Sequence, residues 1–364
     1  LNILQIVSGR GVNGALVYCK ILSEELARRG HRVTILCRPK SWMTSAVDCG
    51  LVSVVESSLS RFPWSELKRM SGMVRARRIE LIHTHMTRGQ NFGVALKLLT
   101  GVPVVATAHN RHFELHWNFN DYVIANSRST FDYHSRVNRI PPHRMETIYC
   151  CPDFQQTQSV RPRAVESIRR QMRVADDDLL IGVVGEIAVR KGHQYFVQAL
   201  PEIAAHLPGL KVVFVGRFGR KQPHVRKIRK FILQNGLAGR IKWVGRRSNV
   251  AEYMAACQLT VVPSIEEPLG LVAIESLLVG TPVVASNTGG LGEVVRDRES
   301  GLLVPPADPK ALAEAVIALA GDASARSRMG TNGRRYAEAV FSPAHLIDRV
   351  EEVYRRIAGR SRVA

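Results

Sequence analysis

Apolar positions along the chain follow two patterns that take turns. Short continuous runs such as Ile3-Leu4-Gln5-Ile6-Val7, Val33-Thr34-Ile35-Leu36-Cys37, Val104-Val105-Ala106-Thr107-Ala108, Leu179-Leu180-Ile181-Gly182-Val183-Val184 and Leu259-Thr260-Val261-Val262 predict strands. Stretches with helical spacing fall between them: one through Glu24 and Glu25 that stops at Gly30, one around Phe92 to Leu99, one over Val250 to Cys257, and two that close the chain at Arg360. Gly30 is placed where a helix C-terminal glycine belongs. Strands alternating with helices predict parallel sheets. Over residues 150 to 165, CCPDFQQTQSVRPRAV, the apolar period lapses and a linker is expected. The predicted fold class is therefore α/β, with two doubly wound Rossmann-like domains facing a cleft.

One stretch carries most of the candidate chemistry. The run Thr260-Val261-Val262-Pro263-Ser264 leads into a loop with Glu266, Glu267 and Pro268, and Gly270 then opens a helix in which Glu275 is the lone charge among Leu271, Val272, Ala273, Ile274, Leu277 and Leu278. At about 100° per residue Glu267 and Glu275 fall near one side of the helix start, so both carboxylates can face one cleft. Free N–H groups near Gly270 and Leu271 would favour an anion there. Carboxylates beside an anion site suit a ligand with both hydroxyl and phosphate groups, such as a nucleotide-sugar. Arg190 and Lys191, next to Gly192 at another helix start, oppose the helix dipole unless an anion lies between them, and so form a candidate diphosphate site.

Other motifs are weaker. Gly9, Gly11 and Gly14 follow the first strand without the dinucleotide-binding spacing, which leaves a phosphate cradle and a structural turn equally open. His109 ends a strand at the edge where open α/β sheets bind ligands, which favours a site role. His83 and His85 share a strand face, but no carboxylate or cysteine is spaced to complete a metal site with them. His112, His116 and Trp117 are assigned to a polar loop on the acceptor side. Asp176-Asp177-Asp178 precedes a strand at its amino end and reads as a solvated turn rather than a metal cluster.

Composition sets the surroundings. The 364 residues suit two domains, and 45% hydrophobic with 23% charged residues is the balance of a folded protein. The net charge of +20 is spread, with basic residues in excess by roughly nine up to residue 160 and roughly eleven beyond it. Spread charge raises association with any polyanion but names none, and aromatics are not interleaved with it, so no specific nucleic acid is expected. The segment Arg61 to Arg78 predicts a helix with Trp64, Leu67, Met70 and Val74 on one stripe; core packing is preferred, with an anionic membrane surface as the functional alternative. Six cysteines lack zinc-type pairing, and Cys150-Cys151 are read as unreactive thiols. No apolar run is long enough to span a bilayer and no leader pattern precedes the first strand, so the expected location is cytoplasmic, with a peripheral place on the inner face of the membrane as the alternative.

These residues together resemble the family 4 glycosyltransferases of the GT-B fold over essentially the whole chain. The carriers are Gly14, Gly30-His31-Arg32-Val33-Thr34, His109, Lys191-Gly192, the pair Glu267 and Glu275, Gly280-Thr281-Pro282-Val283-Val284-Ala285, Gly289-Gly290 and Gly301-Leu302-Leu303-Val304-Pro305. The resemblance implies retaining transfer of a hexose from a nucleotide diphospho-sugar to a hydroxyl of a glycan or lipid-linked acceptor, as in cell-envelope polysaccharide synthesis, with no metal or other cofactor. It implies that Glu275 binds ribose, Glu267 and His109 hold the donor sugar, and Lys191 with N–H groups at Gly270 and Leu271 neutralises the diphosphate. Gly14 would let the first loop approach phosphate or acceptor. Where the family has Arg after the glycine that ends a strand, this chain has Glu186, so that either Arg190 replaces its charge or Glu186 binds something else. The implied domains are 1–158 on the acceptor side, 159–341 for the nucleotide-sugar, and 342–364 as a helix packing back on the first. A nucleotide-sugar epimerase or glycan phosphorylase of the same fold is the enzymatic alternative, and a basic polyanion-binding protein the non-enzymatic one.

Overall fold

A computed structural model describes residues 1–60, 64–175, 178–219 and 222–360. It divides into two compact units: Leu1–Pro152 together with the chain from Phe341 onward, and Asp153–Val340.

The first unit is built on a seven-stranded sheet. Its strands are β1 (Asn2–Val7), β2 (Arg32–Cys37), β3 (Ser53–Glu56), β4 (Leu81–His85), β5 (Val104–Ala108), β6 (Tyr122–Ala125) and β7 (Met145–Thr147), in the order β3-β2-β1-β4-β5-β6-β7. All pairs are parallel. The order reverses between β1 and β4, the switch point at which open sheets leave a crevice at their carboxyl ends. Continuous apolar runs fit strands covered on both faces, and β4 and β5 are buried at every position. The helix Gly14–Arg28 ends where expected, with Gly30 N–H on the Ala27 carbonyl and His31 N–H on that of Leu26. The final helix, Pro343–Arg360, packs on Gly14–Arg28 and is tied to this unit by Asp348 with Arg29 (2.5 Å) and by Arg349 and Arg356 with Glu146 (3.2 and 2.8 Å).

The second unit carries six parallel strands: β8 (Leu180–Val184), β9 (Lys211–Val215), β10 (Ile241–Gly245), β11 (Leu259–Val262), β12 (Val283–Ser286) and β13 (Gly301–Val304). Their order is β10-β9-β8-β11-β12-β13, which reverses between β8 and β11. The turns after those two strands therefore flank the second switch point.

Two expectations change, and the core packing preferred for the basic stripe is met. The stretch read as a linker is structured, with helices Phe154–Gln158 and Pro162–Met172, and the units part at Pro152. Asp153 caps the first of these helices, and Pro162 opens the second, whose Val165, Ile168 and Met172 recur at helical spacing on its packed face. The helix Trp64–Ala76 buries Leu67, Met70 and Val74 in the core of the first unit, which leaves only Trp64 of the stripe exposed; residues 61 to 63 lie outside the described residues. Trp117 is buried between His116 and His134 rather than lining an open loop. No helix among the described residues is long and apolar enough to cross a membrane.

Candidate donor site

In the second unit two strand-end turns are fastened together. After β8 a short turn, Val189–Lys191, ends at Gly192 and the helix His193–His206 begins. Gly192 has φ +65°, and a Cβ there would lie 1.8 Å from the Pro263 carbonyl oxygen, so only glycine lets this turn close onto the end of β11. The Arg190 carbonyl accepts the N–H groups of Ile265 (2.8 Å) and Glu266 (3.2 Å). The loop carrying Glu267 is thus anchored to the turn carrying Lys191.

Lys191 Nζ forms an ion pair with Glu267. The Ser264 hydroxyl donates to the same carboxylate at 3.2 Å, and the Gly290 N–H donates to the Glu267 carbonyl at 3.0 Å. Glu267 is buried by these partners. Gly270, at φ +108°, precedes the helix Leu271–Leu278, and a Cβ there would meet Leu291 at 2.6 Å. No side chain caps this helix. Ala273 and Ile274 N–H groups turn to the Gly270 carbonyl, whereas those of Gly270, Leu271 and Val272 have no partner among the described residues. Open donors at a helix start favour an anion.

Glu275 lies one turn into that helix. Burial pushes its carboxyl up to about 7, the Asp153 carboxylate adds to the rise, and Lys191 opposes it. Lys191 therefore acts on both carboxylates. Among the described residues the Glu275 carboxylate has no hydrogen-bond partner, which leaves a half-buried acceptor open to a hydroxyl-bearing ligand.

Glu186 has a cationic partner that sequence reasoning missed. Arg217, just past β9, bonds Glu186 at 2.7 Å, while the Arg190 side chain is exposed. The signal was available, because Arg217 follows a strand and the glycine, Gly216, directly after it. Asp153 beside Glu275 was hidden in the stretch taken for a linker.

In the first unit His109 follows β5 and stands beside His85, with Nε2 to Nδ1 at 3.3 Å. Burial lowers the His109 ring to about 4, so it is neutral near pH 7 and can exchange hydrogen bonds but carries no charge. Gly14 is the exposed first residue of its helix, and Asn13 Oδ1 already accepts the N–H groups of Ala15 (3.1 Å) and Leu16 (3.2 Å). His116 bonds Gln90 at 2.6 Å. Cys150 and Cys151 are buried, and burial raises the Cys150 thiol well above its usual range. Asp176 and Asp177 lie outside the described residues, and Asp178 accepts the Ala175 N–H at 3.1 Å. Among the described residues no three His, Cys, Asp or Glu side chains are grouped as metal ligands.

Comparison with known proteins places these features. The glycosyltransferase family 4 model matches residues 12–156, and the model for glycosyl transferases group 1 matches residues 164–336. An uncharacterized glycosyltransferase of Methanocaldococcus jannaschii is 24% identical, with 95% of each chain covered. A D-inositol 3-phosphate glycosyltransferase of Rhodococcus opacus is 26% identical over 95% of this chain and 86% of that one. The Anabaena protein HepE, solved in complex with UDP and glucose, superposes with a TM-score of 0.86 at 21% identity, covering 97% of this chain and 99% of that one. Two parallel doubly wound units, a glutamate pair at a helix start and matches along nearly the whole chain lead to one assignment: the chain is a family 4 glycosyltransferase of the GT-B fold.

Proposed function

We propose that this glycosyltransferase moves a hexose, with retention, from a nucleotide diphospho-sugar to a hydroxyl of a glycan or lipid-linked acceptor in cell-envelope polysaccharide synthesis. The observation that carries the reading is Lys191 set against both Glu267 and Glu275 beside an uncapped helix start. Ionised Glu275 accepts the ribose hydroxyls. Glu267 holds the donor sugar. As the sugar–phosphate bond breaks, negative charge grows on the diphosphate, and Lys191, Arg190 and the N–H groups of Gly270 and Leu271 are the groups to meet it. Those fixed charges and dipoles are what lets the reaction run with no metal or cofactor. His109, neutral, exchanges a hydrogen bond with the donor sugar, and Gly14 leaves room at the first loop for phosphate or acceptor. A relative in structure that holds UDP and glucose supports a nucleotide-sugar donor.

The test is calorimetric titration with free nucleoside diphosphates, followed by a donor panel in chelator and mass spectrometry of products from a lipid and glycan extract. One diphosphate should bind, and Glu275→Ala should weaken it at least tenfold. If no nucleotide binds, or Glu275→Ala binds as the parent does, the reading fails; turnover that stops in chelator overturns the metal-free part. An anionic membrane surface is proposed as a further partner, supported by exposed Trp64 with Lys68 and Arg75 on the solvent face of one helix.

A further inference from the structure

A buried polar chain crosses the first unit from the final helix to His109. Gln5, in the middle of β1, is fully buried; its amide nitrogen donates to the Tyr354 hydroxyl at 3.1 Å, and its amide oxygen lies 2.8 Å from His85 Nε2. His85 Nδ1 lies 3.3 Å from His109 Nε2. On the other side the Tyr354 hydroxyl is 2.6 Å from His83 Nδ1, and His83 Nε2 is 2.7 Å from Thr107 Oγ1. Gln5, His83, His85, Thr107 and Tyr354 are all without solvent exposure. His109 alone keeps some exposure, and its Nδ1 has no partner among the described residues.

In such surroundings a stranded donor or acceptor is costly, so each proton is directed to an acceptor. Burial keeps all three rings neutral, His83 down to about 3 and His109 to about 4, with His85 also well below its usual range. A neutral imidazole has one donor and one acceptor nitrogen, so the order of protons passes along the chain. With the Gln5 oxygen facing it, His85 carries its hydrogen on Nε2 and accepts at Nδ1. His109 must then carry its hydrogen on Nε2, and its open Nδ1 is an acceptor. Turning the Gln5 amide over reverses every step, and Nδ1 of His109 becomes a donor.

We propose that Tyr354 is a positioning residue that, through Gln5 and His85, fixes the tautomer of His109 and so decides whether its open nitrogen accepts or donates a hydrogen bond. Its bearing on turnover rests on the reading that His109 meets the donor sugar. The Tyr354 hydroxyl accepts from the Gln5 amide and, with the His83 Nε2 hydrogen directed to Thr107, donates to His83 Nδ1, the order of protons that fits the amide in its observed orientation. Without that hydroxyl the Gln5 NH2 group loses its acceptor, and the flipped amide donates to His85 instead.

The experiment is 15N spectroscopy of the histidine rings in the full chain at pH 7, with His109 signals assigned by their loss in His109→Gln. The parent should show His109 protonated at Nε2. Tyr354→Phe, which keeps the ring that packs the helix, should move the proton to Nδ1 in at least half of the population. Gln5→Leu, which cuts the link but leaves Tyr354 and His83 in place, should disturb the same signal. Unchanged nucleotide binding serves as the check on folding. Turnover by Tyr354→Phe should fall about tenfold in kcat, with KM for the donor within twofold. A parent protonated at Nδ1, or a folded Tyr354→Phe protein whose His109 signal stays where it was, overturns the proposal. A signal that moves while kcat does not leaves the linkage standing and removes the sugar contact assigned to His109.

Discussion

Glu275 places a carboxyl inside protein with Asp153 near it and only Lys191 in opposition, and its rise to about 7 has a sign that can be followed through. The folded chain binds a proton at this site that the unfolded chain, with an ordinary carboxyl of about 4.5, has already released. Stability therefore falls as pH rises from about 4.5 to 7 and stays lower above that. Replacing the carboxylate with an amide removes the penalty. Glu275→Gln is expected to be more stable than the parent at pH 8 by up to about 3 kcal/mol, the gap closing as pH falls toward 5. Denaturation midpoints over that range measure it; a gap independent of pH would mean that the carboxyl titrates normally. The same variant should lose nucleotide affinity, a gain in stability against a loss in binding that is common where a site keeps an uncompensated charge.

At the scale of elements, the turn ending at Gly192 is what holds the Lys191 and Glu267 loops in one place. Gly192→Ala forces a Cβ against the Pro263 carbonyl at a backbone angle that alanine disfavours, and should cost about 2 kcal/mol or more. Gly239→Ala, where a Cβ has open space, should stay within about 0.5 kcal/mol. Equal midpoints for the two would show that the turn yields freely. This locality also explains what could be read in advance. Glu267, Glu275, Lys191 and Gly270 sit at strand ends and helix starts, where spacing along the chain fixes position in space. The Gln5 and Tyr354 hydrogen bond joins residues 349 positions apart, and Arg217 meets Glu186 across neighbouring strands. Nothing in spacing encodes such partners, because register and packing decide them. Trp117 misled for the same reason: a polar neighbourhood in sequence became a core neighbourhood once His134 closed over it.

The whole molecule carries its excess of positive charge on both units, so a surface of anionic lipid should attract it broadly, while Trp64 offers an apolar anchor. Sedimentation with phosphatidylglycerol vesicles should bring the protein down at low salt and release it at about 0.5 M salt, where screening is nearly complete within a few ångströms. Trp64→Ser should weaken the binding about threefold or more. Equal binding to phosphatidylcholine vesicles, or none to either kind, would remove the membrane surface from the list of partners. The two units also differ in how the ribosome delivers them. Asp153–Val340 is one unbroken segment and can fold as soon as it emerges, whereas the first unit is interrupted by it and waits for Pro343–Arg360. Until that helix is made, Gln5 and His83 have no Tyr354 to bond, so β1 finds all of its partners only after the other unit has been synthesised, and an unfinished chain cannot have a finished His109.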